Sequence, residues 1–293
     1  MPLFTSNFKS ILKIIGIFLA LFAGYNLFLA IAKPQVSLLQ HQWQDNIVAA
    51  QHYIYAPPPS TLSQSIIVGS SLAVRMDKDI LQEHRFYNLA LGGDSPLTGL
   101  MIIKSCMQKG AQAPKAIYIE ENTLFMRDYN KEMIDNLFNP ALYTLRKYLP
   151  SLLEKYQPLN LIYSALYEYS GLKNKSKWSE QRDERVYEMN MQNFLRQYDE
   201  PLTNYTAQLT QLQNLVAFFE NNGVKVVFFQ MPIDARLAHK ALPTQQHALL
   251  KQYFGHIAFM PPPEYSQYVS SDGIHLLPKS ALDFTQSFLT LAH

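Results

Sequence analysis

The sequence predicts an α/β protein in which helices cover both faces of a mostly parallel, five-stranded sheet, giving three layers. Short apolar runs suited to buried strands alternate with helical patterns from residue 65 onward. The chain has 293 residues, of which 48% are hydrophobic, so it can bury one large core. An apolar segment near the N-terminus adds one helix that lies outside this alternation.

The alternation defines five strands and the helices between them. Strand-like runs cover 65–68, 86–91, 115–120, 224–230 and 256–260, and helical patterns cover 72–82, 97–109, 204–221 and 240–253. In the clearest pattern, between Tyr205 and Glu220, apolar residues recur at helical spacing before Gly223 supplies a stop. Because active sites of such sheets lie at the carboxyl ends of the strands, the residues after each run are the candidates.

The N-terminal apolar segment runs from Ile14 to Ala32 and follows Lys9 and Lys13. Its length is just enough to span a bilayer, and leading lysines predict a cytoplasmic N-terminus with the bulk of the chain on the extracytoplasmic, periplasmic side. Residues 30–32 also match the small-x-small pattern of a signal-peptide cleavage site. We favour a retained anchor because the run exceeds the usual signal-peptide core of about 7 to 15 residues.

These patterns divide the chain into an anchor at 1–33, a linker at 34–64 and an α/β domain at 65–293. The linker ends in Pro57-Pro58-Pro59-Ser60, which either stiffens a spacer or packs along the domain surface. Residues 127–201 interrupt the alternation with many tyrosines and then a charged run from Lys173 to Glu188. We interpret them as a helical insertion, whose tyrosines form its own core or, alternatively, a wall for a substrate or a partner.

Charge and cysteine content exclude several classes of function. The formal net charge is +2, with both signs interspersed, so no nucleic-acid partner is expected. Cys106 is the lone cysteine, and no Cys/His cluster has zinc spacing. The prediction is therefore a protein without a metal site or other cofactor.

Residues with complementary chemistry follow four of the predicted strands. Ser71 follows the first strand and is the candidate nucleophile, although a serine at this turn could also simply cap the next helix. His275 is the candidate base, and Asp272, three residues earlier, would orient it. The predicted oxyanion donors are the Ser71 backbone N–H, the Gly93 backbone N–H and the Asn122 side-chain amide.

These residues resemble the motifs of the SGNH/GDSL hydrolases. Gly69-Ser70-Ser71-Leu72 resembles their Gly-Asp-Ser-Leu signature, Gly93 and Asn122 fall where their second-block glycine and third-block asparagine lie, and Asp272-Gly273-Ile274-His275 matches their Asp-x-x-His block. The resemblance covers 65–126 and 223–290 and implies a flavodoxin-like sheet. Four positions depart from the pattern: Ser70 replaces an aspartate, Glu120-Glu121 replaces a pair of small residues, and Thr123 replaces another aspartate.

The departures lead to specific expectations about the site. A carboxylate beside an oxyanion site opposes negative charge, so Glu121 should point away or pair with a cation such as Arg75 or Arg127. Gly92 is an alternative to Gly93 as the donor. Seven histidines are interpreted as surface or packing residues: His41, His52, His84, His239, His247, His256 and His293. Asp234 is the weaker rival to Asp272.

The resemblance implies a membrane-anchored, extracytoplasmic serine esterase or O-acyltransferase that works through an acyl-Ser71 intermediate. Its expected substrate is an acyl ester of an envelope glycan or cell-wall polymer, and its possible partner is a multi-spanning acyltransferase. One alternative is a catalytically silent domain of the same fold that binds a glycan or scaffolds that acyltransferase. Another is a soluble periplasmic esterase released by signal cleavage.

Overall fold

The computed structural model describes residues 3–34, 36, 41–55, 65–170 and 179–292, with side chains from residue 8 onward. The chain forms two compact units. The first comprises Met1–Gln51 and Leu137–Asn174, and the second comprises His52–Asn136 and Lys175–His293. The prolines at 57–59 lie outside the described residues.

The regular elements follow one another in the predicted alternation. The strands are β1 (Ser65–Val68), β2 (Phe86–Asn88), β3 (Ala116–Glu120), β4 (Lys225–Phe229) and β5 (Ala258–Phe259). The α-helices of the described residues are α1 (Leu3–Ala32), α2 (Gln42–Tyr55), α3 (Lys78–Glu83), α4 (Pro96–Gln108), α5 (Lys131–Leu137), α6 (Pro140–Leu145), α7 (Pro158–Tyr169), α8 (Glu184–Asp199), α9 (Thr206–Asn221), α10 (Ala235–Ala238), α11 (Ala241–Tyr253) and α12 (Pro278–Ala292).

The five strands form one parallel sheet in the order β2-β1-β3-β4-β5, which confirms the predicted fold class. β1 pairs Ile67 with Asn88 of β2 and Val68 with Ile119 of β3. The carboxyl ends of β2, β1 and β3 therefore lie side by side. The loops that follow these strands start from one edge of the sheet.

Two predicted elements next to β1 are shorter than expected. β2 ends at Asn88 rather than at residue 91, yet Leu91 N still donates to Gly69 O at 2.9 Å, so the chain continues beside β1 toward the site. The predicted helix 72–82 is instead a 3₁₀ turn at Ala73–Arg75 followed by α3. The break occurs because the Asp77 side chain accepts hydrogen bonds from the first turn of α3 and caps it.

Both faces of the sheet are covered. On one face Phe288 of α12 packs edge-on against Tyr118 of β3 and Phe229 of β4, with ring centroids 5.3 and 5.1 Å away. On the other face α4 lies so close to β1 that a Cβ at Gly99 would meet the Val68 side chain at 2.9 Å. A glycine in α4 thus permits the close contact that holds this helix over the strand leading to Ser71.

The N-terminal unit is built on α1. Its segment Phe8–Ala32 has 25 residues and a mean hydropathy of 2.3, which is long and apolar enough for a membrane span or a signal sequence. The Asn26 side chain accepts a hydrogen bond from Ser151 N at 3.2 Å, the Tyr25 hydroxyl donates to Tyr156 O, and Leu29 is buried. The carboxyl-terminal part of α1 is therefore packed against the two 3₁₀ turns before α7.

Two predicted boundaries look different in the structure. The segment 34–64, expected to be a linker, contains α2, which is a regular helix rather than a spacer. The predicted insertion 127–201 contributes to both units: 137–174 belongs with α1, and the residues from 175 onward, including α8, belong with the sheet.

Candidate active site

The Ser71 turn begins directly where β1 ends. Gly69 is required there, because a Cβ at this position would lie 2.6 Å from both the Ala73 Cβ and Glu120 Oε2. Ser70 is buried, whereas Ser71 is partly exposed. The turn thus hides one hydroxyl and presents the other at the edge of the sheet.

Ser71, His275 and Asp272 form one hydrogen-bonded chain. His275 Nε2 lies 2.8 Å from Ser71 Oγ, and His275 Nδ1 lies 2.7 Å from Asp272 Oδ2. An ionised carboxylate can only accept, so Nδ1 carries the proton and Nε2 is left to accept the Ser71 hydroxyl proton. Nε2 is therefore within hydrogen-bond reach of Ser71 Oγ, as a general base must be.

The Asp272 carboxylate is held by its own loop. Its Oδ1 accepts from His275 N at 2.8 Å and from Ile274 N at 3.1 Å. Partial burial by itself raises the pKa of Asp272, but the hydrogen bonds and charge of His275, with the two backbone donors, outweigh it and leave the pKa below its usual value. Asp272 is therefore ionised across the neutral pH range, as the orientation of His275 requires.

The loop that carries Asp272 and His275 is packed against α8. Gly273 has φ 107°, and a Cβ there would meet Met191 Sδ at 2.4 Å. Arg182 Nε donates to Ser270 O at 2.9 Å, and Asp234 N donates to Gly273 O at 2.8 Å. Arg182 and α8, which lie between β3 and β4, thus support the loop together with Asp234, which follows β4. The sequence pattern did not reveal this role.

Asp234 does not compete with Asp272 for the imidazole. Its carboxylate accepts from the Tyr187 hydroxyl and from Arg236 Nε, the latter at 3.1 Å. Burial alone raises the pKa of Asp234, and these hydrogen bonds more than reverse the effect, so the pKa is lowered. The Asp234 carboxylate thus connects α8 with α10 through its hydrogen bonds to Tyr187 and Arg236.

Glu120 lies beneath the Ser71 turn. It is completely buried and accepts from Ser70 N at 2.7 Å and from Ser70 Oγ at 2.9 Å, with Thr123 Oγ1 at 3.3 Å. Burial raises the pKa of Glu120, and these donors oppose the rise. Two departures from the motif, Ser70 and Glu120, are therefore partners. The sequence contains a signal for this pair, because a carboxylate is missing at position 70 and an extra one is present at position 120.

Glu121 pairs with His247 and not with either of the two arginines that were named as its expected partners. Glu121 is 4% exposed, and its Oε2 lies 2.9 Å from His247 Nδ1 on α11. Arg127 instead donates to Gly93 O. Burial lowers the pKa of Arg75, and the nearby negative charge of Asp272 opposes this lowering. The interpretation of His247 as a mere surface or packing residue is corrected with it, because α11 delivers that ring to the end of β3.

The two other predicted oxyanion residues are held by side-chain contacts. Asn122 accepts from Met231 N at 2.7 Å and donates through Nδ2 to Met231 O at 3.0 Å, which uses one of the two N–H groups of the amide. Gly93 is exposed with φ 71°, whereas Gly92 is buried. Next to Gly93, Asp94 accepts from Thr98 Oγ1 at 2.6 Å, which ties this loop to α4.

Comparisons with known proteins identify no family. No family model matches the chain, and no curated protein matches it. Among solved structures it is similar to a crystal structure from Bacteroides fragilis described as a "putative acylhydrolase", at 12% sequence identity and a TM-score of 0.40. That similarity covers 88% of this chain and 95% of the other.

Proposed function

We propose that this chain is a serine esterase or O-acyltransferase that forms an acyl-enzyme on Ser71. The observation that carries the proposal is the continuous chain from Ser71 Oγ through His275 to Asp272, with distances of 2.8 and 2.7 Å. A packing role for these residues would not require a serine hydroxyl, an imidazole and a carboxylate in this order. Partial exposure of Ser71 leaves its hydroxyl open to a substrate.

In the first half-reaction Ser71 Oγ attacks the acyl carbonyl carbon while His275 Nε2 takes the hydroxyl proton. Asp272 stabilises the imidazolium that forms. The carbonyl oxygen becomes an oxyanion, which the Ser71 N–H, the Gly93 N–H and the second N–H of Asn122 would stabilise. The intermediate collapses when the C–O bond to the alcohol breaks and His275 returns the proton to the leaving oxygen.

In the second half-reaction His275 takes a proton from water or from a sugar hydroxyl, whose oxygen attacks the acyl carbon. The bond to Ser71 Oγ breaks, and the proton returns to that oxygen. Water makes the protein an esterase, and a sugar hydroxyl makes it a transferase. Measuring how the acyl group partitions between water and an added acceptor glycan distinguishes the two.

Retention of α1 as an anchor is the second part of the proposal. The bonds of Tyr25 and Asn26 to Tyr156 O and Ser151 N, together with the burial of Leu29, support retention. Cleavage after Ala32 would remove all three contacts. N-terminal sequencing of the mature protein tests this, because a start at Lys33 would contradict an anchor.

We infer the substrate class from these two features together. An anchored chain with its site outside the cytoplasm meets acyl esters on envelope polysaccharides or cell-wall polymers, and a multi-spanning acyltransferase in the same membrane would supply acyl groups. The resemblance of the Ser71, Gly93, Asn122 and His275 blocks to SGNH/GDSL hydrolases supports the same class.

Labelling by a serine-reactive fluorophosphonate tests the chemistry without knowing the substrate. The full-length wild type should be labelled, and Ser71→Ala should not be. Ser287→Ala is the matched control, since it removes a hydroxyl of α12 that accepts from the Tyr268 hydroxyl at 3.4 Å rather than from the three residues. An unlabelled wild type that is folded would refute the enzyme and leave a silent binding or scaffolding domain.

A further inference from the structure

Helix α7 of the N-terminal unit buries polar side chains and exposes apolar ones, the reverse of the usual arrangement. α7 turns Asn160 and Ser164, each 2% exposed, toward the interior of its unit. Four of its exposed residues are large and apolar: Leu159 at 74%, Ile162 at 56%, Leu166 at 63% and Tyr169 at 93%. Their spacing of three, four and three residues places them in one stripe, opposite the buried polar residues.

The buried side of α7 is committed to a polar network. Asn160 Nδ2 donates to Glu154 O at 2.8 Å, and Gln44 Nε2 donates to Glu154 Oε1 at 3.1 Å. Gln51 Oε1 in turn accepts from Glu154 N at 2.7 Å. Rotating α7 to bury its leucines would place them against a buried carboxylate and leave these amides unpaired. The apolar stripe must therefore face outward.

An outward stripe of this size on a water-soluble surface would be costly, and such stripes mark contact sites. We propose that α7 lies in the headgroup–acyl boundary of the bilayer that α1 crosses, with the stripe Leu159, Ile162, Leu166 and Tyr169 in contact with lipid. The proposal rests on α1 being a retained anchor. It adds a second membrane contact within the same unit.

The connection of α7 to α1 supports lipid as the occupant. The Tyr25 hydroxyl donates to Tyr156 O, and α7 begins two residues later at Pro158. Tyr25 belongs to the apolar segment Phe8–Ala32, which is long enough to cross a hydrocarbon core about 30 Å thick. α7 therefore starts beside the carboxyl-terminal part of the helix that would cross the membrane.

The side chains around α7 fit this boundary. Tyr148 is 76% exposed next to the exposed Lys147, and Tyr169 ends the stripe. Tyrosine prefers the membrane–water interface, and lysine pairs with anionic headgroups there. A helix with one apolar face and a polar opposite face lies in the plane of the interface rather than across the membrane.

The test uses the full-length chain in vesicles of phosphatidylethanolamine and phosphatidylglycerol, with Cys106 replaced by alanine. A fluorophore sensitive to its environment is attached to Ile162→Cys or Leu166→Cys on the stripe. Glu168→Cys is the matched control, because Glu168 is exposed on the same helix but lies off the stripe. Leu21→Cys, on α1, reports separately on the anchor.

Quenching by spin-labelled lipid and by aqueous iodide then locates each position. We expect lipid quenching to exceed iodide quenching severalfold at Ile162 and Leu166, with the reverse at Glu168. Iodide quenching of the stripe equal to that of Glu168 would overturn the proposal, and so would protection from both quenchers, which means cover by protein. A Leu21 label in water would remove the anchor and the proposal together. Fluorophosphonate labelling of the same variants reports on Ser71 independently, so failure of the proposed chemistry is distinguishable.

Discussion

Replacing Ser70 by aspartate is predicted to destabilise the protein through Glu120. Ser70 Oγ lies 2.9 Å from Glu120 Oε1, and Glu120 is completely buried. Ser70→Asp would place a second carboxylate against the first.

The size of the effect follows from the separation of the charges. Two unit charges about 4 Å apart repel by about 4 kcal/mol at an effective dielectric constant of 20. Because each carboxylate opposes ionisation of the other, one of the two would take up a proton rather than both staying ionised. Glu120→Ala alone leaves the Ser70 N–H and hydroxyl without their buried acceptor, which costs about 1–3 kcal/mol for each unsatisfied group.

The double variant Ser70→Asp/Glu120→Ala separates this explanation from simple disruption. It again holds one carboxylate, now supplied from position 70, so its unfolding free energy should exceed the additive expectation by at least about 2 kcal/mol. Urea unfolding of the wild type, both single variants and the double variant at pH 8 measures this coupling. Losses that add to within about 0.5 kcal/mol would refute a shared electrostatic site.

Three further predictions concern the loop that carries Asp272 and His275. Asp272→Asn should slow fluorophosphonate labelling of Ser71 by about 10⁴-fold, because an amide favours the wrong His275 tautomer; equal labelling rates would contradict the proposed roles. The folded-state pKa of Asp272 is lowered, so its stabilisation is present above its ordinary pKa of 3.8 and is lost as pH falls through the lower folded value. In urea unfolding, the difference in unfolding free energy between the wild type and Asp272→Asn should therefore shrink as the pH is lowered from 6 to 3. A difference that stays constant over this range would contradict the lowered pKa of Asp272. Gly273→Ala should cost about 2–4 kcal/mol, since φ is 107° and the new Cβ meets Met191, and an unchanged melting temperature would show that the loop relaxes freely.

The pattern of apolar residues along the sequence was sufficient to predict the sheet. Parallel strands buried on both faces are short and apolar, and the apolar residues of the helices between them recur with a different period. The sequence pattern was also sufficient to select Ser71, Asp272 and His275 as candidates, since each follows a strand end or lies in a short loop with a turn residue. The structure places these three in contact, and their roles stay a prediction until labelling tests them. β5 was predicted too long because its two residues carry no distinct periodic signal.

The partners of the two acidic residues could only come from tertiary structure. Glu121 and His247 are far apart in sequence, and nothing in their local patterns links a strand end with a helix on the other side of β4. Met191 beneath Gly273 is a similar case, because helical spacing reveals which face of α8 is buried but not what it is buried against. Local sequence thus determined the elements and the chemistry offered at the strand ends, through propensity and period. Folding alone decided which charges meet, because long-range contacts depend on how the elements pack.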